Sequence, residues 1–546
     1  MQKNLVWAIA LSALVYIGWF SYMDKKMAPQ RAAAMQARQA ALAAQQQNVQ
    51  NTNAQEAVNT QPVAGIPGAA SKAKVAIPSA PASTNAMPQK SSDGWKKDAV
   101  SLVSGKAEYI FDQATASMKS MVYQGPVEAA DLIPENSAGF FMLAGNGGSP
   151  YNFTLSSKKE STVVFNAVRD GISVEKEFSF STDNALNNLK FTFRNTGSTD
   201  VAVPPLNIIL GPGLNTVKSE QKENKTLWRS IYAHNDGKRK YPKVEKLKNA
   251  QAKESPSWAG IDNRYFLVAL VGGSLKDTRP YGTEDKIEGD KTPGMLIPIG
   301  NVMLAPGQEY VFETQFYFGP KDYAFLKKEI GNGLHLSVDF GFFAPIAKLA
   351  VSLLSGLYKI TGNYGVAILI LGVLVQIIIA PFSYKSYKSM ALMQKMQPEM
   401  KSIQERYKDN PQRMQQEMFA LYRRYGTNPL SSCVPMLFQM PIFFALFIAL
   451  RNSWVLHGAP FIFWIHDLSA KDPYYVLPII MGVIMFLQQK LSPQPNADQT
   501  SAKMMQWMPI IFTFMFLAFP SGLVIYWLVN SVFGFAQNVY LRKRIA

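Results

Sequence analysis

The sequence predicts a polytopic α-helical membrane protein, six spans with a five-helix core, that carries a large antiparallel β-sandwich domain outside the membrane. Three observations predict it. Five apolar runs, 364–383, 430–450, 474–489, 504–519 and 521–541, fill the last third of the chain, each near or slightly below the roughly 20 residues a spanning helix needs. A sixth run, Leu5 to Tyr22, stands alone at the N-terminus. Between them lie about three hundred residues with the alternating texture of strands.

The N-terminal run, residues 1–23, reads as an anchor. A cleaved signal peptide is the alternative, but Trp7, Tyr16, Trp19 and Tyr22 sit towards its ends as in aromatic belts, and no small-x-small exit site follows. Residues 24–94 are rich in Ala, Gln, Asn, Pro and Ser with almost no aromatics. They bury too little apolar area to offset chain entropy, which predicts a flexible tether.

From 95 to 337 the pattern predicts a sandwich. Strands are expected at Tyr151 to Leu155, Thr162 to Val168, Ile172 to Phe180, Asn188 to Arg194, Tyr265 to Val271 and Tyr310 to Phe318, punctuated by turns such as Asp170-Gly171. The lysine-rich stretch Lys218 to Lys253 reads as a solvated loop. Residues 338–361 then place Phe343, Ile346, Ala347, Ala350, Leu353, Leu354 and Leu357 at helical spacing. An amphipathic helix lying on the outer membrane face is expected, with a helix packed under the sandwich as the alternative.

Residues 362–546 form the predicted five-span core. The hairpin 384–427 carries nine Lys and Arg between Lys385 and Arg424, whereas 452–473 has only Lys471 and the Phe519-Pro520-Ser521-Gly522 turn has no charge. Basic loops stay in the cytoplasm, so the hairpin and both termini are expected inside and the sandwich outside. The hairpin's arms meet near Lys408-Asp409-Asn410-Pro411, where Asn-Pro favours a turn. Met393, Met396 and Met400 line one arm, Met414 and Met418 the other. They either pack the arms together or offer an adaptable surface that recruits apolar segments.

Chemistry is sparse. The four histidines, His234, His335, His457 and His466, form no metal-ligand spacing, and Gly211-Pro212-Gly213 lacks the ending of a phosphate loop. No cofactor, no metal and no enzymatic activity are expected. One cysteine, Cys433, excludes an internal disulfide framework. The net charge of +17 fits inward-side basic residues and attraction to membrane lipids, without nucleic-acid specificity. Within the predicted spans the polar residues are few: Gln376, Gln439, Gln488, Gln489, Gln506, Thr513, Asn530 and Ser531.

One set of motifs is specific. Ala380-Pro381-Phe382, Ser386-Tyr387-Lys388-Ser389-Met390, Met396-Gln397-Pro398, Asn428-Pro429-Leu430, Gln439-Met440-Pro441-Ile442-Phe443, Trp464-Ile465-His466-Asp467-Leu468-Ser469, Asp472-Pro473-Tyr474-Tyr475, Gln489-Lys490-Leu491-Ser492-Pro493 and Phe519-Pro520-Ser521-Gly522-Leu523 resemble the YidC/Oxa/Alb insertase family. The form resembled is the one with a large periplasmic domain. Outside the last two hundred residues the likeness is thinner, resting on Trp258 to Phe266, Gly319-Pro320-Lys321 and Val338 to Gly341.

The resemblance implies a membrane protein insertase of the bacterial inner membrane, with a hydrophilic groove open to cytoplasm and lipid. Its implied partners are nascent membrane proteins, the Sec translocon, the ribosome and the signal-recognition receptor. Gln376, Gln439, Gln488, Asn530 and Thr513 are the expected groove residues, and Phe438, Ile442, Tyr526 and Trp527 the expected contacts to the substrate helix. Gln376 stands where the family usually carries a positive residue, which weakens any electrostatic pull on acidic tails. The competing readings are a small-molecule transporter, which would show internal repeats with broken helices, and a membrane-anchored sugar-binding or sugar-processing protein, which would need paired carboxylates.

Overall fold

The computed structural model describes residues 93–545 except 136, 146–149, 182–185, 236, 238–241, 288–289, 427–433 and 492–498. The predicted N-terminal span and nearly all of the tether lie outside the described residues, as does Cys433.

The first half is β-rich. A nine-stranded antiparallel sheet runs in the order Lys243–Lys246, Arg229–His234, Pro256–Asp262, Phe266–Val271, Glu309–Pro320, Asn187–Asn195, Ile172–Ser179, Thr162–Arg169 and Thr154–Lys158. A five-stranded sheet follows the order Ala250–Gln251, Tyr281–Ile287, Asp290–Leu304, Val201–Leu210 and Met142–Gly145. Four strands, Ala99–Ser104, Ala107–Asp112, Ser117–Gln124 and Ala129–Asp131, form a third sheet. Period-two patterning explains the pairing. In Asn187–Asn195 the inward residues Leu189, Phe191 and Phe193 are fully buried, and with Phe111, Ile208 and Phe316 they build one core shared by all three sheets. Each fully buried side chain of this size contributes about 1.5–3 kcal/mol.

Two expectations change, and one strand is added. The strand predicted from Tyr151 begins only at Thr154. The stretch Lys218 to Lys253 is not a loop: it holds a helix, Gln221–Leu227, and the buried strand Arg229–His234. Its composition is dominated by lysines, which hides the short apolar core Ile231-Tyr232-Ala233. Val201–Leu210 was missed because of Pro204 and Pro205; the register passes from Val203–Val302 to Pro205–Gly300, so Pro204 sits where the ladder is interrupted and its absent N–H costs nothing.

Lys176 occupies an inward position in Ile172–Ser179 and is fully buried. Its Nζ donates to the carbonyls of Ala116 and Phe141, both at 2.6 Å, and lies 4.9 Å from the centroid of Phe178. Ala116 and Phe141 are both left-handed, with φ of 48° and 63°, so the lysine fastens two turns that side chains with a Cβ disfavour. Burial holds its pKa well below the ordinary value. The unfolded chain then binds the extra proton, and stability rises with pH between the folded pKa and the usual lysine value. In urea unfolding of residues 95–337 expressed alone, Lys176→Met is expected to flatten the rise in stability seen from pH 7 to 10. At pH 9 it should cost about 1–3 kcal/mol for the stranded carbonyls. An unchanged slope would show that Lys176 keeps its proton.

The second half is helical: α1 (Ala344–Thr361), α2 (Tyr364–Lys395), α3 (Gln397–Arg406), α4 (Pro411–Arg424), α5 (Val434–Arg451), α6 (Val476–Leu491), α7 (Gln499–Phe516) and α8 (Ser521–Ile545). The five predicted apolar runs after residue 361 fall, over their described residues, on α2 and α5 to α8. Among the described residues, Tyr364–Lys395 and Ser521–Tyr540 are long and apolar enough to cross a bilayer, whereas Gln439–Arg451, Val476–Leu491 and Trp507–Phe516 are shorter apolar helices. The helix α2 continues through Pro381 into the hairpin, whose turn is capped by Asn410 accepting from the Arg413 N–H at 3.1 Å with Pro411 in the first turn.

The helix α1 buries Ala347, Ala350, Val351 and Leu354 against neighbours on α2 and α5, including Ile368, Leu371, Ala445 and Leu446. It leaves Ile346, Leu349, Leu353 and Ile360 exposed. The predicted face is therefore split. Ala347, Ala350, Val351 and Leu354 pack on the bundle, while Ile346, Leu349, Leu353 and Ile360 point away from it, as an apolar surrounding would favour.

Candidate substrate-handling site in the helical core

Polar residues in apolar helices must find partners, and the bundle brings several together. Gln376 on α2 is buried and its Nε2 donates to Asn530 Oδ1 on α8 at 2.6 Å. The buried hydroxyl of Tyr526 lies towards Asn530 and Gln439 without reaching hydrogen-bond geometry, and the Asn530 Nδ2 is also buried without a partner. Three of the predicted groove residues thus meet in space, joined by Tyr526. This polar cluster has donors left over.

The other two predicted groove residues each pack against a glycine of a neighbouring helix. Thr513 donates to the carbonyl of Pro509 on its own helix at 2.7 Å and packs on Gly482 of α6, where an added Cβ would lie 2.0 Å from its Oγ1. Gln488 rests against Gly534 of α8, 2.6 Å from where a Cβ would be. Both are helix-packing contacts of small residue against polar side chain.

Trp527 is half-buried in an aromatic group, with ring centroids 4.8 Å from Phe443, 5.4 Å from Phe516 and 6.1 Å from Phe512. Ile442 packs on the same core. Tyr526 is fully buried, so it acts from inside the bundle and not from an open face. The side chain of Phe438 lies outside the described residues.

In the hairpin, Met396, Met400 and Leu421 form a buried cluster with Met418 and Ile403 packed on it. Met393 is buried as well and Met414 is half-exposed. The methionines therefore mainly hold the arms together, and the exposed apolar side chain of the second arm is Phe419, 53% accessible. The arms are further joined by Tyr425 donating to Glu399.

Several motif residues turn out to brace the loops between helices. Asp472 accepts from Trp464 Nε1 at 3.0 Å and from the N–H groups of Tyr474 and Leu477, setting the start of α6. Asp467 accepts from Ser469 N and Oγ, both at 2.8 Å. Ser521 and Gly522 bond back to the carbonyls of Ala470 and Leu468, tying the entry of α8 to the same loop.

Sequence reasoning missed the joint between the β-rich half and the helices. Trp454, after α5, packs on Phe266, Tyr265 and Tyr123 at centroid distances of 5.0, 5.6 and 6.0 Å, and His457 stacks on it at 5.0 Å. Burial lowers the His457 pKa, opposed in part by Asp467. Beside it, buried Asp262 accepts from Lys321 Nζ at 2.7 Å and from Arg229 Nε at 2.9 Å, while Arg229 reaches Asp339 at 3.1 Å. Asn452 Nδ2 donates to the Asp339 carbonyl at 2.9 Å. Despite burial, the Gly341 N–H and the charge of Arg229 hold Asp339 below its usual pKa. Asp262, Lys321 and Asp339 come from the three separate stretches that carry the thinner resemblance, a coincidence that could have drawn attention to them.

The family model described as the 60Kd inner membrane protein matches residues 356–546, and the one for the YidC periplasmic domain matches residues 147–353. The fold search finds, at 19% identity and a TM-score of 0.37, the crystal structure of an active YidC insertase with its first transmembrane domain resolved; the match covers 80% of this chain and 91% of that one. The chain is 38% identical over 423 residues to a membrane protein insertase YidC of Citrifermentans bemidjiense, covering 76% of this chain and 74% of that protein. It is 39% identical over 394 residues to one from a Geobacter species, covering 71% of each. With relatives this similar aligned over more than two thirds of their length, this chain belongs to the YidC membrane protein insertase family.

Proposed function

We propose that this protein moves transmembrane segments of newly made proteins from the cytoplasm into the inner-membrane bilayer. The observation that carries the reading is the cluster of Gln376, Asn530 and Tyr526, a set of buried polar groups with unused donors inside an otherwise apolar bundle. A polar segment crossing hydrocarbon costs about 2.5–3.5 kcal/mol for each charged residue at the bilayer centre. Donors part way through the bundle shorten that apolar path. The short helices add to the effect: α6 has 16 residues, about 24 Å at helical rise against roughly 30 Å of hydrocarbon, which thins the bilayer locally.

The arrangement we favour has six spans, both termini and the hairpin in the cytoplasm and the β domain in the periplasm. Gln376, Gln439 and Asn530 supply the groove polarity, with Ile442 and Trp527 at its apolar wall. The hairpin is the arrival point, met by the ribosome or the signal-recognition receptor, and the lateral partner is the Sec translocon. Its activity is binding and release without covalent chemistry.

Reconstituted alone in vesicles, the full chain should protect the inserted segment of a short membrane protein from added protease, whereas empty vesicles should not. No protection above empty vesicles, for any of several short substrates, would end the insertase reading. The orientation is checked separately: cysteine labelling from outside should reach Ser453→Cys and not Gln412→Cys, and the reverse pattern would reject it.

A further inference from the structure

The loop between α5 and α6 carries an unbroken apolar run, Pro460-Phe461-Ile462-Phe463-Trp464-Ile465. Only Ile465 of this run is buried. Phe463 is 78% exposed and Ile462 49%, and Tyr474 just before α6 is exposed as well. A turn that faces water is ordinarily polar. Backbone geometry does not account for the phenylalanine either: Phe463 has a φ of 54°, a conformation that Gly, Asn or Asp adopts at lower cost.

The turn is fixed beside the outer ends of two helices. Asn363, the N-cap of α2, donates from Nδ2 to the Phe461 carbonyl at 3.1 Å. The Phe461 ring packs on the first turn of α2, where a Cβ added to Gly365 would lie 2.0 Å from it. On the other side Trp464 Nε1 donates to Asp472, which sets the start of α6. Further along, Val373, Leu374 and Ile377 of α2 and Ile479, Ile480 and Val483 of α6 are exposed in turn. The polar groups of the turn are largely matched within the protein. The Phe461 N–H donates to the Ile465 carbonyl at 2.9 Å, and the Ile465 N–H to that of Ile462 at 3.2 Å. A turn matched in this way loses little on entering a region short of water.

We propose that the turn 460–465 is a membrane anchor, with Ile462 and Phe463 entering the outer leaflet at the boundary of headgroups and acyl chains. The inference rests on the reading of α2 and α6 as spans with this loop outside. A bilayer is the occupant these residues fit, because the turn carries no charge, stands at the outer ends of helices with exposed apolar sides, and has Trp464 and Tyr474 beside it as in an aromatic belt. The start of α6 is thereby held at the outer boundary. The hydrophobic shortfall of this 16-residue helix then falls on the cytoplasmic side, and the bilayer thins where a new segment arrives.

The test uses the full chain with Cys433→Ser and one nitroxide label, reconstituted in vesicles of phosphatidylcholine and phosphatidylglycerol. Labels at Ile462→Cys, Ile377→Cys and Val168→Cys are compared for collision with oxygen, which concentrates in lipid, and with a water-soluble nickel chelate. The Ile462 label is expected to favour oxygen as the Ile377 label does, whereas Val168, 73% exposed on the β domain, favours nickel. Adding Phe463→Asp should raise nickel collision at the Ile462 label about threefold or more, since a carboxylate avoids the apolar boundary that a phenyl ring enters. Phe463→Trp should leave it unchanged. Asp suits a positive φ better than Phe, so the change does not come from a lost fold. A nickel-favouring Ile462 label beside an oxygen-favouring Ile377 label would overturn the anchor and leave the spans standing. A label closed to both reagents would mean that protein covers the turn, and an unaltered label in Phe463→Asp would mean that Phe463 does not hold it; either result overturns the proposal. A nickel-favouring Ile377 label would reject the span reading itself, and the anchor with it.

Discussion

Asp262→Ala is expected to be the most damaging single substitution in the β domain, lowering its stability by about 3–5 kcal/mol because it strands the buried Lys321 cation and takes from Arg229 one of its two carboxylates. Asp262 is fully buried and holds Arg229 and Lys321, and the Lys321 side chain is 4% exposed. Arg229 keeps Asp339, but Lys321 keeps only the Asn263 carbonyl at 2.7 Å. For a domain of this size the loss corresponds to a fall in Tm of roughly 10 °C, read by thermal unfolding of the full chain in detergent. The double variant Asp262→Ala with Lys321→Met should recover part of it, since the pair fails together less badly than one member alone. A cost below about 1 kcal/mol would show that water replaces the carboxylate.

The second large effect separates two accounts of the helical core. Tyr526→Ala with Trp527→Ala removes the Trp527 indole packed among Phe443, Phe512 and Phe516 together with the fully buried Tyr526 ring, and truncating a packed Trp costs about 3–5 kcal/mol. Insertion should fall more than 10-fold. Gln376→Ala removes one interhelical hydrogen bond, a contact that averages about 0.6 kcal/mol in membrane bundles, so the expected loss is under about threefold. Protease-protected insertion in reconstituted vesicles measures both, with trypsin digestion of the uncharged vesicles checking that the helices are assembled. If Gln376→Ala proves as severe as the aromatic pair, hydrogen bonding to the substrate outweighs apolar packing and the ranking is reversed.

The hairpin illustrates how far a sequence pattern can be carried. The spacing of Met396, Met400 and Met418 locates a helical stripe but cannot say what covers it. The structure covers it with the other arm and Leu421, leaving Phe419 as the exposed apolar side chain. The same limit applies to Thr513 and Gln488, polar residues that the sequence groups with Gln376 although each is matched to a glycine on a neighbouring helix.

What the sequence determined alone is what depends on local composition and period: the apolar runs that became α2 and α5 to α8, the basic hairpin with its Asn410-Pro411 turn, and the alternating strands around Phe191 and Phe193. Hydrophobic burial acts on every residue of a run, so its signal survives averaging over a window. The tertiary structure decided what depends on pairs distant in the chain. Gln376 meets Asn530 across 154 positions, Lys321 meets Asp262 across 59, and the strand Arg229–His234 is buried within a lysine-rich stretch because its neighbours Pro256–Asp262 and Lys243–Lys246 flank it. A buried polar or charged group is stable only beside its partner, and no window along the chain contains both members of such a pair.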